Sequence, residues 1–482
     1  MTVWSANTIK SGTNVATVAL IVSVLFCSCT RRPDPQRVPA GAPMADFMGF
    51  TYAVYMLPSH SVRETQLSAV VREALAKEFT SVKLVDAIPK EPPGMVVHAY
   101  LQKNVKKEFP PPDLRSLRYF GRGISSEEAE ALQNSDEAFV LEFAHPKQDV
   151  WVGLRTANAL IEEVARKSGG LIWDDETREI FSADSWHKKR LESWVDSLPE
   201  VSTQTVVHAY NDDEYVRAIT LGMAKMGLPD VVIEKTDWSS NTQVGILINL
   251  FCQSLAEGQP IPKSGDFRLS LQQIKNSYLR NAQQTSLKGK AAAVACLTLK
   301  RGKRDQGDPE NRLIELDFDR YPGNDIHAKQ DSLISSFFGA QESLAMVQRN
   351  NQELLAASAS AKAKLPELHK AFAAGLQPGE FIELKAPFRT QNGGTEWMWV
   401  EVTSWKSDRI EGLLKNEPSF VPSLHAGQYV EIREEDVFDY LRMYPDKPME
   451  GNATSEIVRK VNQSKEKESA NLEVVVPSCS SE

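Results

Sequence analysis

Runs of β-forming residues alternate with stretches of helical spacing along most of this chain, and that order restricts it to mixed helix and sheet architectures. "FTYAVYML", from Phe50, is rich in β-formers; Leu67, Val70, Val71, Leu75 and Phe79, with Val62 before them, then fall near helical spacing. Two short β-like runs follow, Ser81–Ile88 and Gly94–Gln102. Ser125 and Glu128 have the spacing of a capping box, in which a hydroxyl and a carboxylate satisfy the free amides of a helix start. "EAFVLEF" reads as a strand and "LRTANALIEEVARKSGG" as a helix stopped by Gly169 and Gly170. Leu171–Phe181 reads as a hairpin and Trp186–Leu198 as a helix.

A second alternating series starts at "TQTVVHAY", Thr203 to Tyr210, and runs to "RLIELDF". Within it "KRGKRDQGDPENR" carries the Gly, Asp and Pro of a hairpin loop with solvated charges. Gln341–Ala374 is rich in helix formers, with Pro366 the expected break. Short strands joined by turns such as "QNGG" then suggest a small, curved β-sheet or barrel. The fold class expected is α+β: two α+β domains (46–200 and 201–340), then a third unit (341–454) of curved sheet or barrel with flanking helices, and a disordered polar tail (455–482). At 482 residues several compact units are required.

The start of the chain bears on location. Between Lys10 and Arg31 runs "VATVALIVSVLFC", Val15 to Cys27, shorter than the ~20 residues of a bilayer span and matching a signal-peptide core. It ends in "LFCSC", which resembles the lipobox of bacterial lipoproteins, where cleavage precedes a lipid-bearing cysteine. The reading is a signal peptide over 1–28, lipidation of Cys29, and a Pro-rich tether over 29–45. Thr30 after Cys29 resembles the outer-membrane signal of Gram-negative sorting. With 55 basic against 64 acidic residues and a net charge of -9, the chain lacks the footprint of a nucleic-acid binder. Cys252 and Cys296 lie in apolar segments as core residues; a bridge between them is left open, and Cys479 falls in the polar tail.

Chemistry-bearing motifs are sparse. "VVHAY" occurs twice, at Val96–Tyr100 and Val206–Tyr210, raising His98 and His208 as ligands or catalytic groups. No His-x-x-x-His or Cys-x-x-Cys accompanies them and the flanks do not align, so buried strands of similar composition explain the pair and no metal is expected. Ser185 to Lys188 formally satisfies Ser-x-x-Lys without the partner motifs of the acyl-enzymes that use it. Asp174–Glu176 is read as a turn capped by its own side chains. In "EWMWVEVTSW", alternation puts Trp397, Trp399 and Trp405 on one face, with Glu401 beside them as a candidate binding surface, and Met398, Val400 and Val402 on the other.

"AKLPELHKAFAAGLQPGEFIELKAPF", "EWMWVEV", "EGLLKNEP", "LHAGQYVEI" and "MEGNATSEIV" together resemble the YegJ-like bacterial family, a domain of unknown function. The resemblance implies an architecture and supplies no activity, cofactor or catalytic residue. The function expected from these signals is a cell-envelope lipoprotein acting as a non-enzymatic binding or assembly module, held to the membrane by its lipid, with an envelope protein or glycan as partner and no cofactor. The alternative is an envelope hydrolase or transferase with a site between domains, using His98, His208 or Glu401.

Overall fold

The computed structural model describes residues 37–58, 64–114, 116–195, 197–212, 215–236, 241–287, 291–339, 352–390, 395–418, 420–444, 448–457 and Cys479. Cys29 and the apolar run before it, the first residues of the tether, the "QNGG" turn and most of the tail lie outside these residues.

The first sheet is built from β1 (Phe47–Tyr55), β2 (Lys83–Leu84), β3 (Val96–Lys103), β4 (Gly121–Arg122), β5 (Glu137–Pro146), β6 (Leu171–Asp174) and β7 (Glu179–Phe181), in the order β2-β3-β5-β1-β6-β7-β4. Helix α1 (Glu64–Lys77) joins β1 to β3, and α5 (Val150–Ser168) joins β5 to β6; α2 (Val105–Glu108), α3 (Leu117–Phe120) and α4 (Ser126–Leu132) lie between them in sequence. Strands β1, β3, β5 and β6 with α1 and α5 form a βαββαβ unit, and its central pairings are antiparallel. This is the split βαβ arrangement of ferredoxin-like folds. Both faces of β1 are buried: Tyr52 and Val54 pack with Leu67, Leu154 and Ile161, while Ala53 and Tyr55 pack with Leu117, Leu132 and Val140. The capping box at α4 is complete, Ser125 Oγ accepting from the Glu128 amide and Glu128 from the Ser125 amide.

Two local expectations fail here. Of Ser81–Ile88, strand forms at Lys83–Leu84 alone. The helix expected over Trp186–Leu198 is instead a short α6 (Ala183–Trp186) continued by one π-turn, His187–Leu191. The chain then makes a small ribbon of β8 (Trp194–Val195) and β9 (Leu198–Pro199). Arg190, within this π-turn, is fully buried.

The second sheet has the order β10-β11-β12-β15-β14-β13. Its strands are β10 (Val206–Asp212), β11 (Tyr215–Leu221), β12 (Asp230–Thr236), β13 (Asp266–Ser270), β14 (Val294–Arg301) and β15 (Leu313–Asp317), with helices α7 (Asn241–Ala256), α8 (Ser277–Ser286) and α9 (Ile326–Phe338). The β12 and β15 pairing is parallel; the other pairings are antiparallel. Val231, Ile233, Phe251, Leu297 and Phe337 belong to the same continuous apolar core as Tyr52 and Leu154, so the two sheets share one interior. The chain before β1 also docks: Gly41 and Ile261 exchange amide bonds of 2.9 Å, and Val38 is buried. The tether expected over 29–45 is thus docked on the second sheet from Arg37 onward, Arg37 bridging to Lys300.

The third sheet, in the order β19-β18-β17-β16-β20-β21, contains β16 (Phe381–Arg389), β17 (Thr395–Lys406), β18 (Arg409–Leu414), β19 (Tyr429–Arg433), β20 (Asp439–Met443) and β21 (Glu450–Gly451). It is an open sheet, not a barrel. Helix α10 (Gln352–Ala373) covers one face through Ala361, Leu365 and Leu368, against Leu384, Met398, Val400, Ile410 and Ile432. The helix continues through Pro366, which was expected to break it. Gly121 of the first sheet lies against Pro378 of the third unit, where a Cβ would stand 2.5 Å from the proline Cβ.

Cys296 of β14 is bridged to Cys479, with Cα atoms 5.4 Å apart and a sequence separation of 183. Cys252 is a free, buried thiol. The bridge left open between Cys252 and Cys296 is thus excluded, and the tail is anchored at Cys479.

Candidate functional site

Among the described residues charged side chains gather on several parts of the fold, and two of these gatherings contain residues singled out in the sequence. The first is the junction of the first two sheets. Arg190, presented by the π-turn, donates to Asp174 (2.7 Å), Thr177 (3.1 Å) and Glu179 (3.0 Å), and Lys225 donates to Asp174 at 2.5 Å. Lys189 and Arg122 close on the other oxygen of Glu179 at 3.0 and 2.8 Å. Arg190, Asp174, Glu179 and Lys225 have no solvent-exposed side-chain surface. Burial opposes the charge on Glu179, yet Lys189, Arg122 and Arg190 hold its carboxyl well below the usual range. Burial brings Lys225 down to about 8 against the pull of Asp174, and raises Glu176 to about 7 against Lys225. Asp174 also caps the turn as expected, accepting from the Thr177 amide at 3.3 Å. The interior contacts of this network are ones no turn motif signals. Each ion is compensated by several others, as buried charges must be, and the arrangement fixes the Asp174 hairpin against the Lys225 turn.

Another interior cation is Arg217 of β11, bound by Glu234 (2.9 Å) and Asp308 (2.8 Å). The loop expected to be wholly solvated therefore turns Asp308 inward. His208, on edge strand β10, meets Phe120 of the first unit edge-on at 5.3 Å, and burial followed by the charge of Arg178 lowers its pKa. His98 lies on the first sheet, 2.9 Å from Glu142 and stacked on Tyr100. The two histidines are thus held by different sheets. Among the described residues no group of three His, Cys, Asp or Glu side chains is arranged to hold a metal. Ser185 of the Ser-x-x-Lys pattern lies against Gly123, whose Cβ would collide with its hydroxyl.

The second place is the face of the third sheet turned away from α10. Cross-strand register sets Lys385 opposite Trp399 and Glu383 opposite Glu401, and Asp439 follows Lys385 on the other side. Lys415 lies 2.8 Å from Glu401 and 3.9 Å from Glu383. Burial raises the Glu383 pKa against the nearby Lys415. The Lys385 ammonium stands 5.4 Å from the Trp399 ring centre, and Trp397 packs on Phe438 at 4.4 Å. The Trp399 amide donates to Asn416 at 2.6 Å, so the segments "EWMWVEV" and "EGLLKNEP" meet at this face.

Trp405 does not share it. The β17 and β18 register shifts between Val402 and Ser404, and this bulge turns Trp405 into the core beside Val400, where it is 6% exposed and stacks on His369. Trp397 and Trp399 are half-buried. Strict alternation had placed all three indoles together; one extra residue reverses the parity after Val402. Beyond Trp405, a groove of about 610 Å³ is lined by Lys362, Leu365, Ser407, Asp408, Glu434 and Glu435.

Residues 351–473 match the model of a family described as an uncharacterized protein conserved in bacteria, domain of unknown function 2314, which spans the third unit. No curated protein and no solved structure matches the chain.

Proposed function

We propose that the protein is an exported bacterial lipoprotein, anchored to the cell envelope through Cys29, whose third unit acts as a binding or assembly surface for an envelope glycan or protein. The observation that carries this reading is the Cys296–Cys479 bridge, because stable disulfides form in oxidising compartments outside the cytosol. The short apolar run ending at "LFCSC" agrees with it. The face bearing Trp397, Trp399, Glu401 and Lys415 supplies the binding chemistry: an indole for stacking on a sugar ring or an aliphatic side chain, and charged groups that hydrogen-bond to hydroxyls or amides.

Palmitate labelling and membrane fractionation of the wild type beside Cys29→Ser test the anchor. Labelled, membrane-bound wild type with an unlabelled, released variant is the expected result, and an unlabelled wild type sinks the lipoprotein reading. Co-sedimentation with isolated cell-wall material, compared with Trp399→Ala, tests the surface; equal retention of both proteins removes it.

A further inference from the structure

Lys385 is the anomaly of the third unit. It lies on a central strand of the sheet, is 7% exposed, and forms no ion pair among the described residues. Its amine meets the Ser455 hydroxyl at 3.5 Å and the Trp399 ring. The charged group opposite is Asp439, which is engaged elsewhere: its Oδ2 accepts from the Thr454 amide at 2.8 Å and the Thr454 hydroxyl at 2.7 Å. Those two bonds fix Thr454 on Asp439, and the next residue, Ser455, meets Lys385 across a sequence separation of 70. Buried cations are normally paired, because removing an ammonium from water without a counter-charge is costly. An unpaired buried lysine is instead the environment in which an amine loses its proton and serves as a base.

We propose that Ser455 and Lys385 form a nucleophile and base pair that hydrolyses acyl esters or amides at the edge of this face. Ser455 is half-buried and so keeps some exposed surface, while Lys385 is largely withdrawn from water. In the first step the neutral Lys385 nitrogen takes the Ser455 proton as Oγ adds to the acyl carbon. The bond from that carbon to the leaving oxygen or nitrogen then breaks, and Lys385 returns the proton to the departing alcohol or amine. In the second step Lys385 deprotonates a water that attacks the Ser455 ester, releasing a carboxylic acid and restoring the hydroxyl. Serine and lysine pairs of this type act without histidine. Burial lowers the Lys385 pKa against the opposing charge of Asp439, which favours the free base. The site shares Trp399 with the binding surface proposed above, as the apolar wall beside the amine, while labelling of Ser455 reads the nucleophile directly and does not depend on that surface binding a glycan or protein.

The experiment is labelling of the full chain with a fluorophosphonate, with the modified residue located by mass spectrometry. Labelling on Ser455 is expected, absent in Ser455→Ala and slowed ~100-fold or more in Lys385→Ala, the usual scale for loss of a general base. Added methylamine should restore part of the Lys385→Ala rate, which a lysine of structural role alone would not allow. In the wild type the rate should rise with pH as Lys385 loses its proton. A wild type that is not labelled, labelling on another residue, or a folded Lys385→Ala that reacts as fast as the wild type overturns the proposal. If Lys385→Ala does not fold, the wild-type pH profile decides: a rate that does not change from pH 6 to pH 10 excludes the base.

Discussion

Lys225, in the turn after β11, donates to Asp174, at the end of β6, across 2.5 Å of fully buried interior. This bond ties the second sheet to the first, and Arg190 completes it from the π-turn at 2.7 Å. The two units therefore behave as one body with a common core. Removing one member of such a pair leaves an uncompensated charge, at a cost of about 3–5 kcal/mol. Lys225→Ala should lower stability on that scale in urea unfolding, with both units unfolding together. A variant as stable as the wild type would show that Arg190 satisfies Asp174 alone.

Glu176 gives a pH dependence of definite sign. Burial raises its pKa to about 7 in the folded protein, above its ordinary carboxylate value. The folded state thus binds the proton more tightly, and this stabilisation is present below the unfolded pKa and lost as pH rises through about 7. Glu176→Gln removes the titration, so its melting temperature should change less than that of the wild type between pH 4.5 and 7.5. Parallel profiles for the two proteins would reject Glu176 as the source.

The bridge from Cys296 closes a loop that contains the whole third unit. Chain entropy predicts a loss of about 5 kcal/mol on reduction for a loop of this size. Peptide mapping without reductant should give a Cys296–Cys479 peptide, with Cys252 recovered as a free thiol, and Cys296→Ser should unfold at lower denaturant. Recovery of a Cys252–Cys296 peptide would contradict the pairing.

The tryptophans should separate by position. Trp405→Ala opens a cavity in the third core and should cost about 3–5 kcal/mol, visible as an earlier unfolding of that unit. Trp397→Ala and Trp399→Ala act on half-buried rings and should leave the circular dichroism of the folded protein intact while weakening retention on cell-wall material. Equal destabilisation by all three changes would place Trp399 in the core as well.

The α4 capping box and the helix stop at Gly169 were readable because their physics is local: each depends on side chains within a turn of the backbone groups they satisfy. The strands "FTYAVYML", "EAFVLEF" and "EWMWVEVTSW" were likewise legible, since β-rich runs must bury a face. What went astray depended on partners far away in sequence. Pro366 sits inside α10, whose apolar side packs on the third sheet, and tertiary packing outweighs the local penalty of proline. Trp405 changed faces because register with β18 shifts within a single residue, a feature of pairing that strand composition does not encode.

By itself the sequence determined the alternation of helices and strands, the α+β class, the caps, and the likeness of the last quarter to a bacterial domain family. Those follow from periodicity, from backbone preferences and from ordered blocks of residues. Tertiary structure alone decided that the first two units share a core, that Cys296 finds Cys479, that Asp174 faces Lys225, and that Ser455 meets Lys385, which has no ion pair among the described residues. Each of these is a contact between residues dozens to hundreds of positions apart. Desolvation and charge compensation act there on whatever the fold brings together, and spacing along the chain carries no record of it.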